Sequence, residues 1–154
     1  LSSNAAQRSR DAMVALTATL AIQMFTSLAA TAPAVLAPAL AQDLGITGTW
    51  IGVFVGLIYA GAMVSSLASG GFITRYGAIR VSQVCVLLCA IGIALVALLP
   101  ATAVALLAGS ALLLGIGYGP ITPASSQVLA RTTPPARMSL VFSIKQTGVP
   151  AGAA

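Results

Sequence analysis

Lys145 stands in the stretch Phe142-Ser143-Ile144-Lys145-Gln146-Thr147-Gly148-Val149-Pro150, where an ammonium, an amide and a hydroxyl follow one another inside a run of apolar and small residues. An ammonium at membrane depth costs about 2.5–3.5 kcal/mol on insertion scales. Two arrangements relieve that cost. If a helix enters the membrane near Met138, the Cα of Lys145 lies roughly 10 Å below the interface, and a snorkelling side chain recovers about half of that distance. Alternatively the ammonium faces a cavity, where it pairs with an anionic solute or a carboxylate. Gln146 and Thr147 favour the cavity, because a lipid-facing turn would be apolar.

Gln23 poses the same problem in the first apolar segment, since its amide cannot satisfy itself at mid-helix depth and needs a partner helix, water or a ligand. Thr19, Gln23 and Thr26 or Ser27 fall on one helical face, and Ser110, Tyr118, Thr122 and Ser126 recur at multiples of four residues. The candidate substrate-binding residues are Lys145, Gln146, Gln23, Tyr118, Thr122 and Tyr59. A single Ser or Thr hydroxyl can instead bond back to its own helix carbonyls.

Other chemistries lack their residues. The chain has no His, and Cys85 and Cys89, one turn apart on a helix, have no third ligand nearby; they read as buried structural thiols, with no metal or cofactor expected. The only carboxylates, Asp11 and Asp43, fall at membrane edges where they cannot pair for acid–base work, so no enzyme is expected.

These residues must be held by membrane helices. Of 154 residues, 58% are hydrophobic and 6% charged, and the mean hydropathy is +1.03, against roughly 25% charged in soluble domains. The charges leave uncharged stretches at 12–42, 44–74 and 81–130. About 20 apolar residues cross the hydrocarbon, so the third stretch needs a turn, which Pro100 supplies. The expectation is an all-α membrane protein with five transmembrane helices near 13–36, 50–69, 81–99, 102–128 and 138–154. A signal peptide is the alternative for the first segment, but its apolar stretch outruns an h-region.

With five crossings, Arg8, Arg10, Arg75, Arg80, Arg131 and Arg137 share one side and Asp43 takes the other. The positive-inside rule makes the arginine side, and the N-terminus, cytoplasmic, in a protein of the cytoplasmic (inner) membrane. The net charge of +5 is then a topology signal rather than a nucleic-acid footprint.

The segment Gly70-Gly71-Phe72-Ile73-Thr74-Arg75-Tyr76-Gly77-Ala78-Ile79-Arg80 resembles the signature loop of the major facilitator superfamily of secondary transporters, G-x-x-x-D-R-x-G-R-[RK]. Gly70, Arg75 and Gly77 match in register, and Arg80 lies one position beyond the family's last basic residue. Thr74 stands where the family has its acid and Ala78 where it has a basic residue, so the charge cluster of the family is weaker here or built differently. The same loop also reads without a family, as glycines for positive-φ turns and arginines at anionic headgroups. The likeness extends through the proline-bearing stretch Ala32–Pro38, the turn Gln42–Gly45 and the glycine-rich second helix. Gly148, Pro150 and Gly152 resemble part of the family's antiporter signature, but Val149 replaces a glycine, so exchange is not carried over.

The resemblance implies that the five helices are most of the N-terminal six-helix half of a larger fold, the chain being a fragment whose partner is its own C-terminal half. The stretches 38–45 and 123–130 share Pro, Ala, Gln and Leu at an offset of 85 residues, as an inverted repeat of three helices plus three would give. Gly48, Gly52, Gly56 and Ala60 form a small-residue stripe suited to close helix contact. The implied function is secondary active transport of a small solute, an organic anion as Lys145 indicates, by alternating access in contact with membrane lipid and with a proton as a candidate coupling ion. The alternatives are a neutral or cationic solute, efflux included, or a non-transporting assembly subunit. The topology is checked by thiol labelling: Arg75→Cys and Arg137→Cys should react with an impermeant reagent only from the cytoplasmic side and Thr47→Cys only from outside, and labelling of Arg75→Cys from outside would reverse the orientation.

Overall fold

The computed structural model describes residues 2–36, 39, 42, 48–98 and 104–154. Among the described residues there is helix and no strand, as expected where no water can satisfy an open sheet edge. The helices are α1 (Ser2–Val35), α2 (Gly48–Tyr76), α3 (Ala78–Leu98), α4 (Val104–Tyr118) and α5 (Ile121–Thr132), followed by a 3₁₀ turn (Pro135–Arg137), α6 (Met138–Gln146) and α7 (Gly148–Ala153). Among the described residues, four stretches are long and apolar enough to cross a membrane: Ser9–Val35, Thr49–Tyr76, Ala78–Leu98 and Ala105–Thr132. Where a fifth crossing is expected the chain forms α6 and α7, each too short to span by itself. The Pro100 turn and Asp43, with most of the first copy of the proposed repeat, lie outside the described residues.

Several helix ends differ from those read in the sequence. Nothing in residues 2–12 breaks a helix, so α1 starts near the N-terminus and carries the region of Arg8 and Arg10 as helix. The glycine-bearing segment after residue 69 is helical too: α2 continues through Gly70 and Gly71 to Tyr76. Among the described residues only Gly77 has positive φ, +86°, and this single residue is the whole α2–α3 joint, its N–H donating to Ile73 O at 3.0 Å. At 1.5 Å per residue α2 is about 43 Å long, well beyond the hydrocarbon thickness. Its last turn therefore reaches the interface, where the Arg75 guanidinium lies 5.4 Å from the Tyr76 ring centroid and Phe72 stacks on Tyr76.

Proline divides the fourth crossing. Pro120 has no N–H to give to Ile116, so the helix breaks at Gly119–Pro120, yet Pro120 keeps helical angles (φ −74°, ψ −10°) and the chain continues in the same sense. Large apolar side chains such as Phe25, Leu67 and Leu98 point outward, as they do in a protein whose solvent is lipid.

Glycines set which helices touch. A Cβ at Gly115 would lie 2.1 Å from Ile58 O, and one at Gly119 2.3 Å from Ala62 O, so α4 meets α2 backbone to backbone. Gly117 faces α3, where a Cβ would come within 2.7 Å of Cys85 O. The core between these helices is Ala30, Ile58, Cys89, Ala111 and Leu114. Cys85 and Cys89 are free and buried, as expected of packing thiols.

The stripe read on the second helix does not take part in this packing. A Cβ at Gly52 or Gly56 meets nothing within 4 Å, and Ala60 is exposed. The reason is register: α4 rests on the adjoining Ile58, Gly61 and Ala62. Overpacking a tight core costs about 1–3 kcal/mol or more, so Gly115→Ala should lower thermal stability by at least that amount while Gly52→Ala leaves it within about 0.5 kcal/mol. Equal melting temperatures for the two variants would contradict the α2–α4 contact.

Candidate functional site

α1, α5 and the α6–α7 pair converge on a polar seam. Gly148 and Gly152, one turn apart, let α7 lie on α1: a Cβ at Gly148 would press on Leu20 and Gln23, and one at Gly152 on Met24 O. Ser27 Oγ crosses the same contact and donates to Val149 O at 2.9 Å. Pro150 lacks an N–H and follows Thr147, where the helix pauses between α6 and α7.

Lys145 closes the seam on the other side. It is 1% exposed, and its Nζ donates to Thr122 O at 3.1 Å and to Ser126 Oγ at 3.0 Å. It therefore does not snorkel. Thr122 O is a strongly loaded acceptor, since the Ser126 hydroxyl (2.8 Å) and the Ser125 hydroxyl (3.0 Å) also donate to it. Ser126 thus takes a proton donor from the lysine and passes its own to the same carbonyl, a small cooperative network in a low dielectric.

Gln23 is fully buried, with Nε2 3.5 Å from Thr122 Oγ1 and Oε1 lacking a partner. Lys145, Gln23 and Thr122, read from separate segments, thus meet around one residue of α5. Tyr118 is half-buried beside Ser27 and near Tyr59. Tyr59 itself is 53% exposed on α2, and Gln146 is exposed, one position round the helix from Lys145 and outside the seam.

Most of the other hydroxyls on these faces bond to their own helices: Thr19 to Ala15 O at 2.7 Å, Thr26 to Ile22 O at 2.8 Å and Ser110 to Leu107 O at 2.7 Å. Gly115, Gly117 and Gly119 are packing surfaces rather than cavity walls. Of the signature-loop residues, Gly70 has open space around it, and Arg75 and Arg80 are exposed. Thr74 Oγ1, where the family has its acid, bonds back to Gly70 O and Gly71 O.

Ser126 was legible only as part of a stripe, although it lies one turn after Thr122 and makes one of the two bonds to the ammonium. The Thr122 carbonyl carries no sequence signal; backbone acceptors appear only once the helices are placed.

The fold and the seam define a polytopic helical membrane protein with buried polar groups clustered between its helices. The family model of the Major Facilitator Superfamily matches residues 19–154, and the chain belongs to that family of secondary transporters. No curated protein and no solved structure matches the chain.

Removing one acceptor from a buried cation costs about 1–3 kcal/mol. Ser126→Ala should destabilise the protein by that amount in thermal unfolding. Lys145→Met, which removes the buried charge and leaves the Ser126 hydroxyl bonded to Thr122 O, should be at least as stable as the parent. A large loss of stability in Lys145→Met would mean that the ammonium is a structural tie.

Proposed function

We propose that the chain is the N-terminal bundle of a secondary transporter in the cytoplasmic membrane, N-terminus cytoplasmic, and that it moves a small organic anion by alternating access. The observation that carries the substrate class is Lys145: a cation held among helices by a carbonyl and a hydroxyl, neither of them an ionised partner. A carboxylate or phosphate group is a far better acceptor than these, so an anion arriving at the seam would take the ammonium over. In the arrangement described, Lys145 is closed off, and the anion reaches it when α6 and α7 lean away from α5. The breaks at Thr147 and at Gly119–Pro120 flank the seam and are where such bending costs least. Gln23, Thr122 and Tyr118 would orient the solute, Tyr59 and Gln146 would lie at the margin, and a second bundle would cover the bare stripe of α2. A proton is the candidate coupling ion. No cofactor is invoked, and no catalytic carboxylate pair supports an enzyme.

One observation favours a second reading. The unpaired Oε1 of Gln23 asks for a donor, which a neutral or cationic solute would bring. Transport kinetics of Lys145→Gln in proteoliposomes separate the two: for an anion, uptake should fall by roughly 10- to 100-fold, the worth of a charge-assisted hydrogen bond, while insertion is kept. Lys145→Arg should keep the charge but transport poorly, because a forked guanidinium does not fit a seat shaped for a compact ammonium. Normal anion kinetics in Lys145→Gln would remove the anion reading.

A further inference from the structure

Ser126 is half-buried on α5, one turn after Thr122, and its hydroxyl is used twice. It accepts from Lys145 Nζ at 3.0 Å and donates to Thr122 O at 2.8 Å. With its proton committed to a carbonyl, its oxygen is polarised toward the ammonium and accepts the more strongly. Thr122 O, the second acceptor of Nζ, also receives the Ser125 hydroxyl at 3.0 Å. Withdrawal of the ammonium therefore strands neither acceptor: Thr122 O keeps two hydroxyl donors, and Ser126 keeps the acceptor of its own proton. The group left in need of a partner is Lys145 itself, which is 1% exposed.

We infer, resting on the anion reading of this seam, that Ser126 is a positioning residue that competes with the transported anion for Lys145 and so sets the affinity of the site. A carboxylate can reach Nζ only by displacing Ser126 Oγ, so the strength of the Ser126–Lys145 bond is subtracted from the binding of the anion, as for any ligand whose receptive state must first be released. A hydroxyl suits this part. Being neutral, it yields to a carboxylate, the stronger acceptor of a charged donor, and it takes the ammonium back when the anion leaves. An acid at the same position would hold Lys145 permanently. The consequence has the opposite sign from that of an ordinary binding residue: loss of the Ser126 hydroxyl tightens anion binding, although it destabilises the empty protein.

Lys145 is the only lysine of the chain, so selective isotopic labelling of lysine gives a single Cε resonance that reports the surroundings of its ammonium. The test is an NMR titration of the whole chain in detergent with acetate or inorganic phosphate at fixed ionic strength. Ser126→Ala should bind acetate about tenfold more tightly than the parent, and Ser126→Thr, which restores the hydroxyl, should return to the parent affinity. Ser126→Asp, which sets a tethered carboxylate against the ammonium, should abolish the response to acetate. A serine that served only to hold the helices in place would weaken anion binding when lost. Equal or weaker acetate binding in Ser126→Ala, or an undiminished response in Ser126→Asp, would overturn the role of Ser126 and leave the anion reading standing. A resonance that responds to neither acetate nor phosphate in both the parent and Ser126→Ala would overturn the anion reading itself.

Discussion

The fold rests on one requirement: in hydrocarbon, every polar group must find its partner within the protein. The Lys145 ammonium of α6 meets that requirement with Thr122 O and Ser126 Oγ of α5. Ser27 meets it with Val149 O, tying α7 to α1. The polar seam thus lies where the first crossing, the broken end of the fourth and the last two short helices meet. The Thr19, Thr26 and Ser110 hydroxyls are satisfied on their own helices and make no hydrogen bond between helices.

Close approach is the counterpart of polar satisfaction. Lipid supplies no hydrophobic drive for helices to associate, so contact has to come from surfaces that fit at short range. Gly115, Gly117 and Gly119 give α4 two such surfaces, one toward α2 and one toward α3. That arrangement leaves the Gly52 and Gly56 face of α2 uncovered, although in the sequence it looks like the better packing stripe.

Much of the membrane architecture was legible because length and hydropathy dominate a helical membrane protein. The meeting of Lys145, Gln23 and Thr122 was legible in part, since a polar residue in an apolar segment has to be answered by another. What the residues alone did not show were backbone partners and register. The Thr122 and Val149 carbonyls are invisible in a sequence, and choosing between the Gly52 face and the Ile58–Ala62 face depends on a small rotation of α2 that hydropathy does not encode. The glycines at 70 and 71 misled for a related reason: inside a membrane helix a glycine can serve as a contact surface, and of Gly70, Gly71 and Gly77 only Gly77 takes the left-handed angle.

That one-residue joint makes the reading frame of the α2–α3 hairpin mechanically strict. α3 begins at Ala78, directly after Gly77, so there is no slack in which an inserted or deleted residue could be absorbed. Loss of a single residue there would turn α3 by about 100° about its own axis. The face bearing Cys85, Cys89 and Gly92, which α4 touches through Gly117 and Leu114, would swing toward lipid, and bulkier neighbours would be driven into its place. Length variation at this end of the molecule is therefore closed off by geometry, whatever the chemistry of the residues involved.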